Sequence, residues 1–127
     1  MDSATENKRQ PQVIAIGGCG FSLDPVNSAL IAYILKQTGA AEPRVCFVPT
    51  ASGDAGLYVE TFYKTFSEFG CRLSHLSFFD RTPDLPSLLL NQDLIYVGGG
   101  NTKSMLAVWK DWGLDVILKQ AWEAGIV

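Results

Sequence analysis

The stretch DLIYVGGGNTKSM, residues 93–105, sets a short apolar run against three consecutive glycines and then a segment with helical character. The run 93–97 reads as a buried strand, and a helix is predicted from the glycines to about Lys110. Glycine admits positive φ and lets another group approach the main chain closely. Adjacent exposed N–H groups at a helix start are good donors to an anion. Three readings of Gly98, Gly99 and Gly100 stay open on pattern alone. They form a tight strand-to-helix turn capped by Asn101 or Thr102, a cradle for a phosphate, or a donor set for the oxyanion of acyl transfer.

Working outward, the same rhythm repeats. Residues 13–16 (VIAI) are a fully apolar run ending in GGCG at 17–20. Asp24 and Pro25 mark a helix start. Val26, Ala29, Leu30, Tyr33 and Ile34 recur at helical spacing, and Gly39 is the stop. RVCFV at 44–48 is a second strand, followed by the small-residue loop PTASGD at 49–54. A helix is predicted over 55–69, with Tyr58, Phe62, Phe66 and Phe69 on one face and Gly70 as its end. Residues 72–78 read as a third strand, 87–91 as a short helical turn. After the glycine triplet and its helix comes Gly113, then a last helix with Leu114, Ile117, Leu118, Ala121 and Trp122 on its apolar side.

Continuous apolar strands alternating with amphipathic helices predict an α/β fold, a mostly parallel sheet with helices on both faces. Such sheets bind ligands beyond the carboxyl ends of their strands. Three unusual loops fall there, after the first, second and fourth runs. The last residues, EAGIV, open a fifth strand at Ile126 and Val127. The chain is therefore expected to be the N-terminal part of a domain: a flexible leader at 1–12, then one α/β unit at 13–127.

Composition bounds the function. The chain has 127 residues, 47% hydrophobic and 18% charged, with a formal net charge of -3. No cluster of Lys or Arg marks a nucleic-acid or membrane partner. No run approaches the length of a membrane span and no signal-peptide core precedes the first strand, so cytoplasm is the default. Cys19, Cys46 and Cys71 have no C-x-x-C spacing and read as free thiols in a reducing compartment, Cys19 standing apart among glycines.

Side chains for chemistry are few. Neither G-x-x-x-x-G-K nor G-x-G-x-x-G is present. His75, the only histidine, lies within a strand and reads as structural. Ser52 and Ser104 lie outside any G-x-S-x-G and read as loop or cap hydroxyls, Asp54 and Glu60 as helix-end charges. Trp109, Trp112 and Trp122 read as packing residues. No His, Cys, Asp and Glu set has metal-ligand spacing, so neither metal nor cofactor is expected.

The segment DLIYVGGGNTKSMLAVWKDWGLDVILKQAWEAGIV closely resembles the dipeptidase E and cyanophycinase group of serine peptidases, and most of all its dipeptidase E-like members. The order strand, GGGNT, helix, Trp-rich connection, helix and next strand carries the likeness. The early strand ending in GG and the PTAS-type loop with Asp54 extend it over most of 13–127. The resemblance implies a class I glutamine amidotransferase-like three-layer sandwich and hydrolysis of small peptides, N-terminal Asp dipeptides among them. It implies that the strand opening at Ile126 leads to a serine nucleophile, with a histidine later still, both beyond Val127. It assigns the glycine loop an oxyanion N–H, Gly99 first, with Gly98 or Gly100 as alternatives, and gives Asn101 a loop-positioning or substrate-contacting role. The expected partners are a peptide substrate, the segment or second chain carrying serine and histidine, and a second copy of the chain at the open sheet edge. A regulatory module holding a small anion or nucleotide, and a non-catalytic interaction protein, are the alternatives.

Overall fold

The structure, a computed structural model, describes residues 9–17 and 28–127. Among them the frame is a three-stranded, all-parallel sheet of β1 (Arg44–Val48), β2 (Arg72–His75) and β3 (Leu94–Val97), in the order β2-β1-β3. Five α-helices accompany it: α1 (Ser28–Lys36), α2 (Gly56–Phe66), α3 (Leu85–Leu89), α4 (Thr102–Trp112) and α5 (Leu114–Glu123).

β1 is central because every residue after Arg44 is apolar, and its residues 45–48 are no more than 1% exposed. Its side chains alternate between two cores, as a pleated strand requires. Val45 and Phe47 pack with Ile31, Ile34 and Leu35 of α1, Phe62 and Phe66 of α2, and Leu94. Cys46 and Val48 pack with Leu85 and Leu89 of α3, Met105 and Trp109 of α4, and Leu114 of α5. Helices thus cover both faces, giving the three-layer α/β sandwich expected. No helix among the described residues is long and apolar enough to cross a membrane.

The buried face of α1 is Ile31, Ile34 and Leu35, while Tyr33 is 55% exposed. The predicted face was rotated from this one. Ala29 to Leu35 is apolar without interruption, so period alone cannot choose which side turns inward. Residues 13–16 form no ladder. Ile14 and Ile16 pack against the core of Val45 and Phe47, yet both edges of β1 are taken by β2 and β3. The amino end of β3 is bonded instead to Val127, which donates to the Asp93 carbonyl (3.2 Å) and accepts from the Ile95 N–H (2.8 Å). This is the hydrogen-bond pattern of a parallel bridge at Val127 alone. The Ile126 amide donates to the Ala121 carbonyl (3.0 Å), and among the described residues the sheet has three strands. Asp24 and Pro25, and Gly18, Cys19 and Gly20, lie outside the described residues, as do residues 1–8 of the expected leader. Arg9 is held: its guanidinium donates to the Thr38 carbonyl and lies 3.5 Å from Asp93.

Asp93 ties the amino ends of β1 and β3 together. Its carboxylate accepts from the Arg44 amide (2.9 Å) and guanidinium (3.4 Å). Burial pushes this carboxyl up, but those hydrogen bonds and the charges of Arg44 and Arg9 outweigh it and hold it below the ordinary aspartate value. A depressed native pKa contributes stability that is present above the unfolded value and lost as pH falls through the native one. Asp93→Asn is therefore expected to flatten the acid limb of the stability profile below about pH 4. Urea unfolding from pH 3 to 7 measures this; an unchanged acid slope would refute it.

Candidate active site

Parallel pairing brings the carboxyl ends of β1 and β3 side by side, with Val48 in register with Val97. The loops that follow them interlock. After Pro49 the chain makes a 3-10 turn, Thr50–Ser52, and passes through left-handed conformations at Gly53 and Asp54. The Ala51 carbonyl, aimed outward by this turn, accepts the Asn101 N–H at 2.7 Å. Gly98 adds a last rung to the ladder by donating to the Val48 carbonyl at 3.1 Å. Below, the Trp109 indole donates to the buried Thr50 hydroxyl at 3.0 Å, fixing α4 under the turn.

The three glycines differ in what they meet. A Cβ on Gly98 would lie 3.0 Å from the Phe47 ring. A Cβ on Gly100, where φ is +147, would lie 2.5 Å from the Ala51 carbonyl carbon and closer still to its oxygen. A Cβ on Gly99 would meet nothing within 4 Å. Packing therefore accounts for glycine at 98 and 100 and does not account for it at 99. The amides differ too. Those of Gly98 and Asn101 are engaged, whereas among the described residues those of Gly99 and Gly100 have no hydrogen-bond partner. Asn101 caps α4, its side-chain oxygen accepting the Ser104 N–H at 2.9 Å. No acid occupies the first turn of α4.

Asp54 was expected to be a helix-end charge, but Ala55 is the N-cap of α2 and receives no side-chain hydrogen bond. Asp54 instead reaches 23 to 25 residues along the chain. Its Oδ2 accepts from the Ser77 hydroxyl (2.9 Å) and from the Phe78 (2.7 Å) and Phe79 (3.0 Å) amides. The Leu76 amide still donates to the Phe47 carbonyl of β1 (2.9 Å), but the Phe78 and Phe79 amides turn to this carboxylate, so the strand does not run on to 78. The other oxygen, Oδ1, is buried without a partner among the described residues, which offsets part of the gain. Asp54→Ala is expected to lower the unfolding free energy by about 2 kcal/mol, since it orphans buried donors held by a charged acceptor. Urea denaturation tests it, and a loss under about 0.5 kcal/mol, the scale of an ordinary surface substitution, would show that the clamp is dispensable.

The remaining candidates separate from this edge. The Ser52 hydroxyl donates to the Pro49 carbonyl at 2.9 Å and so closes its own turn. Ser104 lies in the first turn of α4. His75 ends β2, on the far side of β1 from the glycine triplet, with Nδ1 2.8 Å from the Tyr63 hydroxyl. Burial pushes the Cys46 thiol up to about 11, partly offset by a hydrogen bond from Ser74, and burial raises Cys71 as well. No three His, Cys, Asp or Glu among the described residues could hold a metal ion. The site is thus a backbone site: Gly98, Gly99, Gly100 and Asn101, gripped through Ala51. The small residues of PTASGD were the only sequence signal for that grip.

An open cavity of about 720 Å³ borders the triplet and follows β3, lined also by Phe47, Tyr58 and Tyr96 and by Trp122 and Val127.

Comparison with known proteins identifies the family of the chain. The sequence pattern of peptidase family S51 matches residues 13–127. A Bacillus subtilis (strain 168) protein described as the uncharacterized peptidase YgaJ is 51% identical over 117 residues, which cover 91% of this chain and 51% of that relative. The chain thus spans about half the length of that curated relative. The matched region takes in every strand and helix described above, the glycine loop and the turn that grips it, and on that ground the chain belongs to peptidase family S51.

Proposed function

We propose that this chain forms part of a serine-type peptidase of dipeptidase E type, acting on small peptides including those with N-terminal Asp, and that it supplies one oxyanion donor. The observation that carries this reading is Gly99, exposed, free of steric need for glycine, and with an amide unpaired among the described residues. The serine and its histidine base are proposed to come from the segment that continues the strand opened at Ile126. Serine attacks the scissile carbonyl while histidine takes its proton. The tetrahedral oxyanion is held by the Gly99 N–H and by the amide following the serine. The amine then leaves with a proton from histidine, and water hydrolyses the acyl-enzyme. The Gly98 amide, engaged by Val48, is the weakest of the three glycine candidates; Gly100 remains an alternative donor. Asn101 holds the loop through its amide and its side-chain oxygen.

Hydrolysis of Asp-containing dipeptides by residues 1–127 alone and by protein that continues past Val127 tests this. Turnover is expected only from the longer protein. Turnover by residues 1–127 alone would overturn the division of the site. A longer protein that cleaves no short peptide would overturn the peptidase reading. A second reading, binding of a small anion, draws on the same adjacent unpaired amides of Gly99 and Gly100. Calorimetry with inorganic phosphate separates it, and no heat at millimolar phosphate would dismiss it.

A further inference from the structure

Among the cavity-lining side chains near the triplet, Tyr58 is the one whose fold role is incomplete. It lies in the first turn of α2, which begins at the carboxyl edge of the sheet just after the loop that grips the glycines. A chain of contacts fixes where it stands. The Phe47 ring lies against Gly98, and Phe62 stacks on Phe47 at 4.9 Å with an interplanar angle of 16°. Tyr58 precedes Phe62 by four residues and shares its face of the helix, one turn nearer the helix start. Phe62 is fully buried, whereas Tyr58 is 37% exposed and borders the same cavity as Gly98, Gly99 and Gly100. Its hydroxyl bonds no other group among the described residues, unlike that of Tyr63, which bonds His75, and so is open to a ligand in the cavity.

We propose that Tyr58 is a substrate-binding residue, its phenolic O–H donating to a carbonyl or carboxylate oxygen of a short peptide lying in the cavity over Gly99. Its ligand rests on the peptidase reading above. The ring offers a rigid apolar wall to the cavity that Phe47 also lines, and the hydroxyl offers a donor in a cavity whose other lining near β3 is mostly apolar. Such a group fixes the register of the peptide so that its scissile carbonyl meets the Gly99 amide.

The test is Tyr58→Phe in protein that includes the segment after Val127, with Tyr33→Phe as a control at an exposed tyrosine outside the cavity. The expected result is a KM for short peptides raised about 10-fold, the cost of one unmade hydrogen bond, with kcat within about twofold and an unchanged Tm. Calorimetry of peptide binding provides a readout apart from turnover, with the same loss of affinity expected. Comparing an Asp-containing peptide with its Ala counterpart identifies the acceptor: a loss confined to the Asp peptide assigns a side-chain carboxylate, an equal loss in both a main-chain oxygen. Unchanged KM and affinity in Tyr58→Phe overturn the proposal while leaving the peptidase reading intact. Wild-type protein that neither binds nor cleaves any short peptide overturns both.

Discussion

Gly100→Ala is expected to destabilise the chain by about 3–4 kcal/mol, while Gly99→Ala, one residue away, costs less than about 1 kcal/mol. Two terms add at Gly100. Its φ of +147 is a conformation that side-chain-bearing L-residues rarely adopt. In addition, the new methyl would overlap the Ala51 carbonyl, a backbone group that cannot swing aside like a side-chain tip. That carbonyl already accepts the Asn101 N–H, so moving it breaks the bond joining the two loops and loosens the cap of α4. At Gly99 no heavy atom lies within 4 Å of a new Cβ and no positive φ is imposed. Urea unfolding of the two variants beside the parent reads the contrast directly. Equal stabilities would mean that the interlock between Ala51 and the triplet is not a feature of the folded chain.

Much of this fold could be read in the residues, and the exceptions share a cause. RVCFV was recognisable because a central parallel strand is buried on both faces and therefore apolar throughout; LIYV, beside it, is only partly buried but is as continuously apolar. Asn101 as a cap and Gly113 as a helix stop follow from local backbone needs. What could not be read depended on partners distant in sequence. The face of α1 was hidden by a segment apolar all round. The shortening of β2 depended on Asp54, whose partners begin 23 residues away at Ser77. The run 13–16 alternates half-buried and exposed positions like a strand, yet whether it joins a ladder is decided by which sheet edges are free.

The site divides in the same way. A glycine triplet between strand and helix announces unusual backbone. Which of its amides is free does not follow from the letters GGGN. It follows from the register of β1 against β3, which engages Gly98 with Val48, and from the Thr50–Ser52 turn, which aims Ala51 at Asn101. Ser52, Ser104 and His75 carry chemistry-bearing groups by type, and their positions separate them from any common site.

Gly99→Pro carries the largest expected functional effect. Proline deletes the N–H of residue 99, which bonds no group among the described residues, and the space around a Cβ there is open. It also fixes φ at about −65°, which is why the fold of the variant is checked alongside its activity. If the Gly99 amide holds the oxyanion, the donor is lost from the transition state while the ground-state contacts of the substrate remain. The expected result, in protein that continues past Val127, is a kcat lowered about 100- to 1,000-fold with KM little changed. Gly99→Ala retains the amide and is expected to keep kcat within about tenfold, because only a methyl facing the cavity is added. The pair separates the loss of a donor from the addition of bulk, and a Tm close to the parent's guards against trivial unfolding. A proline variant that folds and keeps its kcat would remove Gly99 from the mechanism. The remaining unpaired amide of the loop, Gly100, would then be the donor, and its steric lock against Ala51 would be what aims it.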